Sequence, residues 1–183
     1  MDAKKRKRII VFLLSVIPAA GCCIWWHWIG FSLMKTACYL ALFYFLPYLA
    51  WVDGKQRIVP GNILKWMFFL RLSVLVAGVF CYRGAGMELV LSALGGFFAG
   101  GGIMLLAYVI SRKGVGAGDV KLMAVVGLYM GSANIYAVLL LSFFLAAVYG
   151  VAGMLLHKIR LKDEIAFVPF AAAACLCIML IGM

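Results

Sequence analysis

Residues 87–110 read MELVLSALGGFFAGGGIMLLAYVI, with one acid at the edge, Glu88, and no charge from Leu89 to Ile110. A helix rises 1.5 Å per residue, so a run of this length covers the roughly 30 Å hydrocarbon core of a bilayer. The run is continuously apolar and does not alternate as a barrel strand would. Lipid offers the backbone no hydrogen-bond partners, so the stretch predicts a membrane-spanning helix.

Similar runs lie on both sides of it. Expected spans are 9–26, 32–51, 63–81, 87–110, a short one at 119–131, then 133–156 and 166–183. The fold class is therefore an all-α polytopic bundle of about seven transmembrane helices. The fifth, at 13 residues, is too short to cross unaided, so either it starts below the surface at the floor of a cavity or there are six spans and a re-entrant segment. The 183 residues are 67% hydrophobic with a mean hydropathy of +1.12, more than a soluble core of this size hides. One transmembrane domain is expected over 1–183, with a basic tail (1–8), an extra first span (9–31) and a core (32–183).

The net charge of +11 sits in short clusters between spans, which argues for topology signals facing anionic lipid and against nucleic acid. Lys4 to Arg8, Lys55, Arg57, Lys65, Arg112, Lys113, Lys121, Lys158, Arg160 and Lys162 fall on one side, 14 of the 17 basic residues. The positive-inside rule makes that side, and the N-terminus, cytoplasmic. A basic tail before an apolar run also begins a signal peptide; Ala19-Ala20-Gly21-Cys22 matches a lipoprotein processing site imperfectly, and an uncleaved first span is expected.

Six cysteines without a C-x-x-C pair, and two histidines, His27 and His157, give little support to a zinc site or disulfide framework. No metal or cofactor is expected. Trp25-Trp26-His27-Trp28 reads as an interfacial aromatic belt. Gly95-Gly96 and Gly100-Gly101-Gly102 offer small-x-x-x-small spacings for close helix packing.

Among six acids, Asp2, Glu88, Asp163 and Glu164 lie in the tail, at a helix end or in a charged loop, which leaves Asp53 and Asp119. Asp53 ends the second span and Asp119 begins the fifth. Two crossings separate them, so both reach the same membrane edge, where neighbouring helices could bring them within hydrogen-bond distance. Ionisable groups at such depth mark function. Carboxylates about 3 Å apart share a proton, one serving as base on a water and the other as acid toward a carbonyl. The alternative is two unrelated interfacial charges, each paired with a lysine such as Lys55 or Lys121. In Gly114-Val115-Gly116-Ala117-Gly118-Asp119 every second residue before the acid is glycine, which admits close approach of an extended substrate backbone.

These residues resemble the type IV prepilin peptidases. Gly116-Ala117-Gly118-Asp119-Val120-Lys121 matches that family's G-x-G-D-x-K, and Asp53 precedes Pro60 by seven residues, as in the family's upstream half. Ile165-Ala166-Phe167-Val168-Pro169-Phe170 is similar to its C-terminal Ile-Pro-Phe-Gly-Pro-Phe. Val59, Gly61, Ala166 and Val168 depart from the family pattern. The resemblance implies an aspartyl endopeptidase in the bacterial cytoplasmic membrane, with Asp53 and Asp119 as the catalytic dyad and a prepilin with a short basic leader as substrate. It implies site-shaping roles for Gly116, Gly118, Lys121, Pro60 and Pro169. Long members carry an N-terminal domain with two C-x-x-C pairs, associated with methylating the new pilin N-terminus. A short, peptidase-only form is expected here, as in systems making tight-adherence (Flp-type) pili, and methyl transfer is not.

Arg71, nine residues into the third span, either faces the active-site cavity or pairs with a carbonyl; Lys121 steers substrate or snorkels to headgroups. A small proton- or ion-coupled transporter would use the same acids with Arg71, but it predicts inverted repeats and none is visible. A protease for archaeal preflagellins or other signal-like peptides would share G-x-G-D.

Overall fold

The computed structural model describes residues 18–81, 84, 86–111, 115–157 and 166–182. The basic tail, the start of the first span, Arg83, Arg112, Lys113, Gly114 and the charged loop from Lys158 to Ile165 lie outside them. All regular structure among the described residues is helical: α1 (18–28), α2 (Leu33–Gln56), α3 (Gly61–Cys81), α4 (Gly86–Ile110), α5 (Ala117–Leu155) and α6 (Val168–Ile181). Helices α2 to α5 are each long and apolar enough to cross a membrane; α6 is apolar but has 14 residues. Trp66, Phe80, Phe98, Leu106 and Leu140, all exposed, suit a lipid-facing surface in a bundle of this kind. The chain is a multi-pass membrane protein.

Local signals set the helix ends. Ser32, in extended conformation, caps α2 by accepting the Lys35 N–H at 3.3 Å. Arg57 closes it in the left-handed region at φ 53°, its N–H on the Asp53 carbonyl at 2.8 Å. The Pro60 carbonyl opens α3 by accepting from Ile63 and Leu64.

Helix α5 is two arms. Gly131, at φ 77° and ψ 173°, interrupts it, a backbone conformation that side chains resist. A Cβ at Gly100 of α4 would abut both the Met123 carbonyl, on the first arm, and the Ile135 side chain, on the second. On a straight helix those two residues would stand about 18 Å apart. The chain therefore folds back at Gly131, and both arms lie against α4. The second arm returns to the end it started from: Phe143 packs on Phe167, at the entrance to α6.

This fold-back accounts for the short fifth span. Its shortfall is at the far end, where Gly131 adjoins Ser92, only six residues into α4. Breaking the helix strands its last carbonyls and the first N–H groups of the second arm. Arg71 Nε donates to the Leu128 carbonyl at 3.0 Å, and the Ser132 N–H donates to Ser92 Oγ at 3.4 Å. Tyr129 Oη donates to the Met67 carbonyl at 2.7 Å and ties the arm to α3.

The first arm is also the centre of the molecule. Every residue from Leu122 to Gly131 is buried, as expected of a helix that is apolar all round. The core continues through Leu42, Leu46 and Leu49 of α2 and Ala171, Cys175 and Met179 of α6. Gly96 and Gly127 face each other so closely that a Cβ on either would overlap the other's carbonyl oxygen. The glycine spacing in α4 is thus a close helix contact.

The aromatic cluster divides, and only part of it is the expected belt. Trp28 and Trp25 are exposed as a belt requires, but Trp26 is 1% exposed. Its indole N–H donates to the Met179 carbonyl at 2.9 Å, and that of Trp25 to Leu180 at 3.0 Å. Both satisfy carbonyls left open at the end of α6, which ties α1 into the bundle. All six thiols are free.

Candidate active site

Asp53 lies in the last turn of α2 and is 5% exposed. Its Oδ2 accepts the main-chain N–H of Val168 at 3.2 Å. Val168 opens α6, with Phe167 as N-cap and Pro169 in the first turn. A helix start exposes N–H groups with no partner of their own and carries partial positive charge, so it receives a carboxylate well.

Asp119 is the third residue of α5 and half-buried. Its Oδ2 accepts the N–H of Gly116, the N-cap, at 3.3 Å, the backward half of a capping box. Each acid thus sits at a helix N-terminus: Asp119 at its own, Asp53 at that of α6.

Two contacts bring these ends together. The segment leaving α2 packs on the start of α5 at Gly118, where a Cβ would lie 3.0 Å from the Cβ of Val59. Asp53 is also near enough for its charge to act on Asp119. Neither carboxyl has a further hydrogen-bond partner among the described residues.

Neither acid forms an ion pair among the described residues. Lys55 instead places its ammonium over the Trp51 ring, 4.2 Å from the centroid, and Lys121 is exposed. Neither Lys55 nor Lys121, the lysines expected as partners, therefore pairs with these carboxylates.

The remaining expected site residues divide. Gly116, Gly118, Pro60 and Pro169 lie at the ends of α2, α3, α5 and α6 that carry the two acids. Arg71 does not: it bonds the Leu128 carbonyl, nine residues along the helix from Asp119 or about 14 Å. The main-chain N–H of Val168 could not be read as a ligand from its side chain; Pro169, a residue that favours a helix's first turn, was the available signal.

Two carboxyls with N–H donors beside them can pass protons to and from a bound water and a carbonyl. No solved structure matches the chain. Curated relatives called prepilin leader peptidase/N-methyltransferase do. The Bacillus subtilis protein is 34% identical over 86 residues, 46% of this chain and 35% of that one. The Stutzerimonas stutzeri protein is 28% identical over 151 residues, 81% and 50%. The Aeromonas salmonicida protein is 26% identical over 167 residues, 91% and 54%. The chain thus spans about half the length of these relatives, or less. The model of the type IV leader peptidase family matches residues 40–151, a range that holds Asp53, Asp119 and the glycines before Asp119, and the chain belongs to that family.

Proposed function

We propose that this protein is an intramembrane aspartyl endopeptidase that removes the short basic leader of a type IV prepilin, of the Flp or tight-adherence class, at the cytoplasmic face of a bacterial inner membrane. The observation that carries the reading is a pair of carboxyls, Asp53 and Asp119, held at adjoining helix ends by the Val168 and Gly116 N–H groups and paired with no cation among the described residues. One removes a proton from water as it attacks the scissile carbonyl; the other donates a proton to the carbonyl oxygen. Collapse of the tetrahedral adduct breaks the C–N bond, and the amine leaves with a proton from the dyad. Gly118 lets Val59 pack against the start of α5 and Gly116 lets the Asp119 carboxyl lie against its own backbone, while Pro60 and Pro169 begin the two neighbouring helices.

The exposed Lys55, Arg57, Lys65 and Lys121 cluster at the same end. The positive-inside rule therefore supports a cytoplasmic site, facing the boundary where a leader would leave the membrane. The proposal covers peptide hydrolysis only. The test is coexpression with a prepilin from the same gene neighbourhood. Wild type should remove the leader, and Asp53→Asn and Asp119→Asn should leave it in place. Full cleavage by either variant would exclude the dyad.

A further inference from the structure

At the end of the bundle opposite the dyad, a cavity of about 550 Å³ opens between the start of α2, the far end of α3, the start of α4 and the fold-back of α5. Arg71 and Lys35 both line it. Among the described residues no carboxylate does, so the cavity carries two cations and no counter-charge.

Arg71 is 7% exposed, and its five N–H donors are only partly used. Nε bonds the Leu128 carbonyl and Nη1 meets Cys38 Sγ. Nη2 bonds no group among the described residues, yet no buried side-chain nitrogen there lacks a partner. Nη2 is therefore unsealed, and the space it opens onto is this cavity. Lys35 lies one turn before Cys38 on the same face of α2, its ammonium over the Phe31 ring, 3.8 Å from the centroid. Ser92 and Asn134 supply polar atoms, and Val74 and Leu75 apolar wall.

A guanidinium fork and an ammonium around one space suit a phosphate. The volume falls within the range of ligand sites, and the apolar wall suits the glycerol and first methylenes of a lipid, which a hydrated inorganic ion lacks. We propose that this cavity binds one anionic phospholipid, its headgroup phosphate held between Arg71 and Lys35. The site is separate from the peptidase reading and does not depend on it.

The whole chain, purified in a neutral detergent, is titrated with phosphatidylglycerol, phosphatidylethanolamine or inorganic phosphate. Binding is followed by native mass spectrometry and Tm. Phosphatidylglycerol should remain bound at one per chain and raise Tm, while the other two at equal concentration should not. Arg71→Gln risks the fold because Arg71 caps the first arm of α5, so Lys35→Gln carries the test. It should weaken phosphatidylglycerol binding about fivefold, the ratio one cation supplies near an anionic membrane surface, and Lys65→Gln at the opposite end should not. Equal binding of the two lipids, the same Tm rise with inorganic phosphate, or undiminished binding by Lys35→Gln would each overturn the proposal.

Discussion

The main-chain N–H of Val168 donates to Oδ2 of Asp53 at 3.2 Å, so the acid that closes α2 is also the cap of α6. A residue expected to act chemically also holds together two helices more than 100 positions apart in sequence. Asp119 repeats the arrangement within its own helix by accepting from Gly116. Catalytic and structural roles can therefore be separated by choice of substitution.

Asparagine keeps an acceptor for Val168 but cannot exchange a proton as a carboxyl does. Asp53→Asn and Asp119→Asn are expected to lower leader cleavage by about 10²- to 10⁴-fold, the usual size of an acid–base contribution, with Tm close to wild type. Time courses of leader removal in detergent or vesicles measure the first quantity and thermal unfolding the second.

Alanine at position 53 removes the acceptor as well. Asp53→Ala should lose about 1 kcal/mol more stability than Asp53→Asn, the size of a missing helix cap. Thermal unfolding of the two variants side by side tests this. Equal Tm values would mean that the Val168 N–H finds another partner.

Gly96 and Gly102 form a matched pair on α4. A Cβ at Gly96 overlaps the Gly127 carbonyl oxygen, whereas one at Gly102 meets nothing within 4 Å. Gly96→Ala should cost about 1–3 kcal/mol through overpacking. Gly102→Ala should be neutral or gain up to about 1 kcal/mol in helix propensity. Unfolding in the same detergent compares them.

The spans were legible because lipid imposes one rule on every residue: the run expected at 87–110 is α4 at Gly86–Ile110, and that at 63–81 is α3 at Gly61–Cys81. That Asp53 and Asp119 reach one end of the bundle was legible because two crossings separate them. Arg71 could be narrowed to two roles and no further, since only three-dimensional packing places the Leu128 carbonyl beside it. The Val168 N–H was hidden for a different reason: main-chain donors carry no sequence label. Trp26 resembled its exposed neighbours until α6 supplied the Met179 carbonyl. The fold-back was half legible, because a 13-residue run signals that something must give, but not at which end.

That end rests on Gly131, which leads to the last prediction. Its φ of 77° with ψ of 173° suits glycine alone, and a Cβ there would stand 2.6 Å from Ser92 Oγ. Gly131→Ala should therefore cost about 1–3 kcal/mol from backbone strain, with any clash against Ser92 adding to it. Ser92→Ala removes that clash but also the acceptor for the Ser132 N–H, and alone should cost about 1 kcal/mol. If strain dominates, the double variant stays nearly as unstable as the sum of the two. If the Ser92 contact dominates, it recovers stability relative to that sum. A double-mutant cycle on Tm decides between them, and a Gly131→Ala variant as stable as wild type would mean that the two arms do not turn at this residue.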